Sequence, residues 1–196
     1  RKRIFLEDTR YFVEDVRKKV IKDYGYDKVY KQGFNIKTPI NLELQNLASS
    51  SLRKGLLDYD RRKGWRGSLD NRKNNDWYKN LNKFDLEKSI GWQIAIVKRI
   101  DKFETVIETI ENKNGIINLE DVNWTRKSLK QIFKVGDIIY VKKKNQGNYS
   151  LKQLPLANGG IVVIDPYSGR VLAMSGGFSF KKSEFNRTSQ ALRQPG

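Results

Sequence analysis

A Ser-x-x-Lys sequence at residues 179–182 has the residue types of an acyl-transfer site. A lysine close to a serine can assist loss of the hydroxyl proton, and the activated oxygen is then a nucleophile. The motif has meaning only in the right structural context. Ser179 follows a Gly-Gly pair at the end of a predicted strand instead of opening a helix. We therefore do not expect Ser179 to be a nucleophile.

The acidic residues do not form an obvious catalytic pair. Adjacent carboxylates occur three times, at Glu7-Asp8, Glu14-Asp15 and Glu120-Asp121. Neighbouring positions on a helix do not face each other, so these pairs are poor acid/base partners and are interpreted as solvated surface. Asp58 and Asp60 lie beside two arginines, a pattern that favours an ion-pair network holding a loop over a metal site.

The composition excludes several kinds of site. The 196 residues, enough for one domain or two small ones, include no cysteine and no histidine. Disulfides, Cys/His zinc sites and Ser-His-Asp catalysis are therefore excluded, and we expect no metal and no cofactor. The 39 Lys+Arg and 22 Asp+Glu give a net charge of 39 − 22 = +17. Such a charge attracts anionic partners: nucleic acid, lipid headgroups or an acidic cell-wall polymer.

The first block, residues 1–67, is predicted to hold two helices with a strand between them. The first helix has Thr9 as its N-cap and Gly25 as its stop signal. A short strand is predicted from Phe34 to Thr38, and the second helix begins at Asn41. That helix carries an apolar stripe at steps of three or four residues, which indicates core packing: Leu44, Leu47, Ala48, Leu52 and Leu56.

The middle block, residues 68–156, is predicted to be a small β domain. It opens with a polar connection around residues 71–76, interpreted as solvated. Asn114-Gly115 is typical of a hairpin turn. Strands are predicted at residues 91–100, 103–111, 116–122, 138–141 and 149–154, with a helix at 128–133. Three strands, a helix and two strands is the order of a five-stranded OB barrel.

The third block, residues 157–196, is predicted to open with a β-hairpin. Two apolar strands, 161–164 and 170–174, flank the sequence Asp165-Pro-Tyr-Ser-Gly169. Proline fixes φ early in such a turn, and glycine accepts a positive φ near its end. By physical chemistry alone this is an ordinary hairpin.

Several elements of the sequence together match the pattern of one known family. Residues 59–67 read Tyr-Asp-Arg-Arg-Lys-Gly-Trp-Arg-Gly, and residues 38–45 read Thr-Pro-Ile-Asn-Leu-Glu-Leu-Gln. The Asp-Pro hairpin is followed by Gly-Gly, Phe185-Asn186-Arg187 and Arg193-Gln-Pro-Gly196. These elements resemble class A, bifunctional penicillin-binding proteins of the 1A type. The first is similar to a signature of that type, the second to the family's Thr-Thr-Ile-Asp-x-x-Leu-Gln element with proline and asparagine at two positions, and the rest to the approach to the family's nucleophilic serine.

The resemblance implies an α+β fold with an OB-like five-stranded barrel inserted into a truncated N-terminal part of the transpeptidase domain. It implies a parent enzyme that polymerises glycan strands, cross-links their peptides through an acyl-serine and is trapped by β-lactams. That parent is expected at the bacterial inner membrane, on the periplasmic side. No apolar run here approaches the roughly 20 residues of a membrane span, so the membrane anchor is expected upstream.

The site residues follow from these motifs. We expect no catalytic residue in the chain itself, since the resemblance places the nucleophilic serine immediately after Gly196, and we expect the isolated chain to be inactive. The motif next to that serine is Arg193, Gln194, Pro195 and Gly196. The structural signature is Tyr59, Asp60, Arg61, Arg62, Gly64, Trp65, Arg66 and Gly67, whose Tyr-Asp-Arg-Arg arginines are expected to bind carboxylates or carbonyls. The candidate binding face of the barrel is Trp92, Tyr140 and Lys142.

Two hypotheses about the role of the chain come from different classes. In the first, it is a non-catalytic module of a cell-wall synthase that contacts peptidoglycan or other cell-wall proteins, with no nucleic acid partner and with β-lactam bound only by the full-length parent. In the alternative, it is a stand-alone OB-fold nucleic-acid-binding protein, which explains only the barrel and the charge. We also expect the apolar hairpin at 161–174 to self-associate or to contact the first block.

Overall fold

The computed structural model describes residues 6–73, 76–111, 113–145 and 147–192. Its contacts divide the chain into two compact units, one formed by Arg1–Leu56 with Ala157–Gly196 and the other by Leu57–Leu156. The second unit thus starts at Leu57, before the boundary expected from the sequence at Gly67. Among the described helices, none is both long and apolar enough to cross a membrane.

Four α-helices and eight strands account for the regular structure of the described residues. The helices are α1 (Arg10–Tyr24), α2 (Tyr26–Gln32), α3 (Leu42–Arg61) and α4 (Leu129–Ile132). The strands are β1 (Asp70–Asn71), β2 (Gln93–Ile100), β3 (Glu104–Thr109), β4 (Asn114–Asn118), β5 (Asp137–Asn145), β6 (Asn148–Lys152), β7 (Ile161–Ile164) and β8 (Val171–Ser175). Short 3₁₀ turns occur at Glu7–Thr9, Asn82–Phe84, Lys88–Ile90 and Leu119–Thr125.

The helix ends of the first unit confirm two of three sequence-based predictions. Gly25 ends α1 with a φ of 84°, and its N–H donates to the Ile21 carbonyl. Asn41 caps α3, because its Oδ1 accepts a hydrogen bond from the Leu44 N–H at 3.0 Å. Thr9 precedes α1 without capping it, since its hydroxyl donates backwards to the Leu6 carbonyl.

The predicted strand at Phe34 to Thr38 is wrong: this segment has no regular secondary structure. A strand requires a neighbour to complete its hydrogen bonds, and no described strand pairs with this segment. The stripe on α3 is also incomplete, because Leu47 is 62% exposed. Alternating or periodic apolar residues indicate a buried face only when another element is present to cover it.

The hairpin β7–β8 forms as predicted and contacts the first block. Its strands are antiparallel, with Val162 opposite Met174. Gln45 of α3 is fully buried beside β8, where its Nε2 donates to the Met174 carbonyl and its Oε1 accepts from the Met174 N–H, both at 2.9 Å. This amide mimics a neighbouring strand for one residue, and it thereby joins α3 to the hairpin.

The second unit is a closed barrel of five strands, which confirms the predicted OB-like α+β fold. The pairing order β5-β2-β3-β4-β6 is closed by β6 pairing back to β5. All pairs are antiparallel except β4–β6. The interior holds one apolar core, to which every second residue of the strands contributes, including Ala95, Val97, Ile107, Ile139, Val141 and Leu151.

One local prediction for this unit needs correction. Strand β4 already begins at Asn114, and Asn114 and Gly115 pair with Glu108 and Ile107 of β3 instead of forming the expected turn. Gly115 serves packing instead, since a Cβ there would lie 2.5 Å from Cδ2 of Tyr149. The polar connection is exposed or half-buried at its described residues, 71–73 and 76, and apolar residues that follow it are buried. Trp77 and Leu81 are buried against the outer face of the barrel, beside Ile138 and Tyr140.

Candidate functional site

The signature loop after α3 is built around the buried carboxylate of Asp60. This residue is 3% exposed, and its oxygens accept hydrogen bonds from Arg66 Nη1 at 2.9 Å, Gln153 Nε2 at 2.9 Å and the Leu156 N–H at 3.1 Å. Arg66 also donates from Nη2 to the Leu154 carbonyl at 2.7 Å. The carboxylate therefore ties the start of the second unit to its end.

The charge on Asp60 is stabilised by these partners. Burial alone would raise the pKa of this carboxyl group, but the hydrogen bonds from Arg66, Gln153 and Leu156 outweigh burial and hold the pKa below its usual value. Asp60 is thus a structural anion with its hydrogen-bonding capacity in use, which argues against a role as an acid or base.

Two arginines of the signature, Arg61 and Arg62, have contact partners other than those expected. The prediction that Arg61 and Arg62 bind carboxylates or carbonyls is wrong within the described residues. Arg62 lies over the ring of Tyr59 at 5.1 Å, and Arg61 lies over the ring of Trp124 at 5.8 Å. The carboxylate is bound by Arg66 instead, because the chain reverses after α3 and brings residue 66 back to residue 60.

The glycines and the tryptophan of the signature shape that reversal. Gly64 and Gly67 have φ values of 78° and 113°, which side chains other than glycine seldom adopt. Trp65 is anchored by a hydrogen bond of 3.2 Å from its Nε1 to the Ile132 carbonyl. Its ring packs edge-on against Trp124 and Phe133. Within the second unit, the signature therefore fixes the chain that follows the last turn of α3 against the barrel.

A second cluster lies in the first unit, after β8, where the sequence predicted the approach to a nucleophile. Asn186 is buried; its Oδ1 accepts a hydrogen bond of 2.6 Å from the Thr188 hydroxyl, and its backbone N–H donates to Gln190 Oε1 at 2.7 Å. A Cβ at Gly176 would lie 2.7 Å from Cα of Asn186. The Gly-Gly and Phe-Asn-Arg elements thus interlock, which explains both. Arg193, Gln194, Pro195 and Gly196 lie outside the described residues.

Ser179 does not have the setting of a nucleophile. It is 3% exposed, and its Oγ accepts a hydrogen bond of 3.3 Å from the Lys182 backbone N–H. The Ser183 N–H in turn donates to the Ser179 carbonyl. The Ser-x-x-Lys sequence therefore forms a tight turn, not the start of a helix.

The three candidate residues of the barrel face are not equivalent. Trp92 and Tyr140 lie together, with ring centroids 5.7 Å apart, and line a cleft of about 240 Å³. Tyr140 is buried, and its hydroxyl donates to the Phe84 carbonyl at 2.5 Å. Burial, with a smaller effect of Asp85, raises the pKa of this phenol. Tyr140 is therefore not an open stacking platform, and Lys142 lies outside that cleft.

A cluster of cations lies on the second unit, and sequence reasoning singled out Lys142 in it but not Lys152. Lys142 of β5 and Lys152 of β6 lie on one face of the sheet, since Tyr140 is opposite Lys152 and Lys142 is opposite Ser150. Lys144 is close enough to act electrostatically on Lys152. Burial, together with repulsion from Arg61, Lys142 and Lys144, lowers the pKa of Lys152 to about 8. The strand alternation, with Lys142 and Lys152 both outward, could have indicated this cluster.

No group of three metal-ligating side chains occurs in the part of the chain that the structure describes. Asp60 is held in an ion pair, and Ser179 is held in a turn.

Comparison with known proteins shows which family this chain resembles. Residues 63–157 match the model of the penicillin-binding protein OB-like domain. The chain is 36% identical over 191 residues to penicillin-binding protein 1A of Rickettsia prowazekii and 32% identical over 202 residues to that of Pseudomonas aeruginosa. Each match covers 95% of this chain and 24% of the relative. Along almost its whole length, the chain is similar to one part of penicillin-binding protein 1A.

The solved structures agree with this assignment. The crystal structure of penicillin-binding protein 1A from Haemophilus influenzae superposes with a TM-score of 0.79 at 27% identity, over 92% of this chain and 27% of that one. The present chain thus spans about a quarter of the length of the penicillin-binding protein 1A relatives it matches. The matched OB-like region coincides with the barrel unit.

Proposed function

We propose that this chain is the region of a peptidoglycan synthase in which an OB-like domain interrupts the transpeptidase domain. The parent polymerises glycan strands, cross-links their peptides as a D,D-transpeptidase and binds penicillin, at the periplasmic side of the bacterial inner membrane. The observation that carries this proposal is the match along 95% of the chain to penicillin-binding protein 1A sequences. The domain limits that follow are residues 1–67, 68–156 and 157–196.

Within that parent the role proposed for this region is non-catalytic. The interlocked elements around Gly176 and Asn186 fix the chain path toward the expected serine, and Ser179 is buried in a turn. The barrel, joined to α3 by the Asp60 cluster, is proposed to bind peptidoglycan or other cell-wall proteins. Its outer surface carries the cationic groups for an acidic partner.

The test is covalent labelling of the full-length gene product with a fluorescent penicillin. We expect one labelled protein, with the label suppressed by excess unlabelled penicillin. Alanine in place of the serine expected after Gly196 should abolish the label. Ser179→Ala in the same full-length protein should retain it, and the isolated 196-residue chain should take up none. Label that depends on Ser179, or no label on the full-length protein, would contradict the proposal.

A further inference from the structure

The cation cluster on the outer face of the barrel contains more positive side chains than carboxylates to neutralise them. Lys144 is paired with Asp121 at 2.8 Å, and Glu120 also lies within electrostatic reach of Lys144. The Lys144–Asp121 pair has three further cations around it: Arg61, Lys142 and Lys152. None of these three forms an ion pair with a described carboxylate. Like charges held this close raise the energy of the protein, and an added anion lowers it.

Two residues that contact the cluster each have a polar atom with unused hydrogen-bonding capacity: Asp121 pairs with Lys144, and Trp124 lies against Arg61. Trp124 Nε1 and Asp121 Oδ2 are both buried, and neither has a hydrogen-bond partner among the described residues. They belong to one 3₁₀ segment, Leu119–Thr125, in which residues three apart share a face. One is a donor and the other an acceptor. A ligand that displaces the neighbouring side chains and offers both an N–H and an oxygen would satisfy both atoms, whereas a phosphate offers only oxygens.

The spacing of the cations also favours one ligand chemistry. Lys142 and Lys152 are diagonal neighbours on paired antiparallel strands, so their backbones lie roughly 7–8 Å apart. Arg61 is the last residue of α3. The helix dipole is negative at this end and repels a concentrated negative charge. Separate cations at this spacing match single carboxylates distributed along a chain better than one phosphate group.

The geometry points to a site for a carboxylate-bearing peptide at Arg61, Lys142 and Lys152, with Trp124 and Asp121 beside them. This inference rests on the proposed function for its source: the peptides of peptidoglycan carry both carboxylates and amides. In this site the lysines and Arg61 neutralise the carboxylates, and the indole N–H and Asp121 bind the peptide amide.

The first experiment measures binding of soluble disaccharide-peptides, released from peptidoglycan by a muramidase, to the full 196-residue chain. Lys142→Gln and Lys152→Gln should each weaken binding about twofold to fivefold, which is the effect of losing one solvent-accessible ion pair. The double variant should weaken it about tenfold. Lys130→Gln, the same charge change at an exposed residue of α4, is the matched control and should leave binding unchanged.

A second measurement reports on the site itself. Titration of Lys152 by NMR should show its pKa rising from about 8 when the peptide binds, since a bound carboxylate favours the charged amine. Affinity should accordingly fall between pH 7 and pH 9, and this fall should be smaller in Lys152→Gln. Disaccharide-peptides whose carboxylates are converted to methylamides should bind at least fivefold more weakly.

Three outcomes would overturn the inference: no binding, binding unaffected by the double variant, or equal binding of the amidated peptides. Tighter binding of single-stranded DNA at the same lysines would overturn it as well. The penicillin label is independent of all of these. If the full-length protein is labelled but no peptide binds at this cation cluster, the inference is wrong and the proposed function still stands.

Discussion

Arg66 and Asp60, six residues apart, close the signature loop with a hydrogen-bonded ion pair in which Nη1 lies 2.9 Å from Oδ1. The carboxylate is almost wholly buried, and the guanidinium is partly exposed. The same carboxylate binds Gln153 and the Leu156 N–H. One anion thus holds together backbone segments that are distant in sequence, and its loss should be felt throughout the second unit.

Arg66→Met should destabilise the second unit by about 3 kcal/mol, because it leaves a buried carboxylate without its charged partner. Urea denaturation followed by tryptophan fluorescence measures this, since Trp65 packs beside the loop. Arg62→Met is the control, for Arg62 only lies over the exposed ring of Tyr59, and should cost under about 1 kcal/mol. Equal effects of the two substitutions would argue against the central role of the ion pair.

The stability of the second unit should fall in acid through Asp60. The pKa of this group is lower in the folded protein than in the unfolded chain. Its contribution is therefore present above the unfolded value of about 3.9 and is lost as pH falls through the folded value. The stability difference between the unmodified protein and Asp60→Asn should shrink below about pH 4. A stability difference that stays constant as the pH falls would contradict this role of Asp60.

Gly176→Ala should destabilise the first unit by about 1–3 kcal/mol, the usual effect of forcing extra volume into a packed site. The new Cβ would lie 2.7 Å from Cα of Asn186, which is backbone and cannot move aside cheaply. Gly55→Ala in α3 is the opposite case, because nothing lies within 4 Å of a Cβ there, and should stabilise by about 0.5–1 kcal/mol. Thermal denaturation of both variants measures these changes in stability. An unchanged stability of Gly176→Ala would show that Gly176 and Asn186 are not tightly packed.

Self-association through the hairpin β7–β8 stays a prediction. The two strands form a sheet with no further strand partner among the described residues, and Ile164 and Tyr167 are 54% and 98% exposed. Open sheet edges with apolar residues pair with other chains. Sedimentation velocity of the isolated chain should show concentration-dependent dimers, which Ile164→Lys should reduce. A monomer at all concentrations would count against this prediction.

Sequence patterns predicted the architecture well wherever the pattern itself is the cause of the structure. Alternation in residues 93–100 and 104–109 gives strands with one face in the barrel core, and the Asp165–Gly169 turn sets its hairpin. The segment 34–38 reads as a strand by the same rule and fails, since pairing depends on a neighbour. Trp77 is buried although it follows a polar run, because the barrel offers an apolar outer face that no local pattern reveals.

For the site residues, too, local patterns could be predicted from the sequence and long-range contacts could not. The signature residues could be singled out from the sequence, but their roles could not, because Gln153 is 93 residues from Asp60 along the chain. The buried Gln45 was not expected to be central, since its partners lie on Met174 and Asp8. Polar side chains find their roles through long-range contacts, and those contacts exist only after the fold brings the elements together.

The hydrogen bonds of Asp60 hold the first and the last residues of the barrel unit close together. A module whose two ends meet can be removed or replaced without stretching the chain that carries it, as in circular permutation and domain insertion. The segment between Asp60 and Leu156 is therefore exchangeable in principle for a short linker or for an unrelated domain. The lineage that carries this chain could vary its barrel, in surface or in size, independently of the helices and the hairpin that precede and follow it.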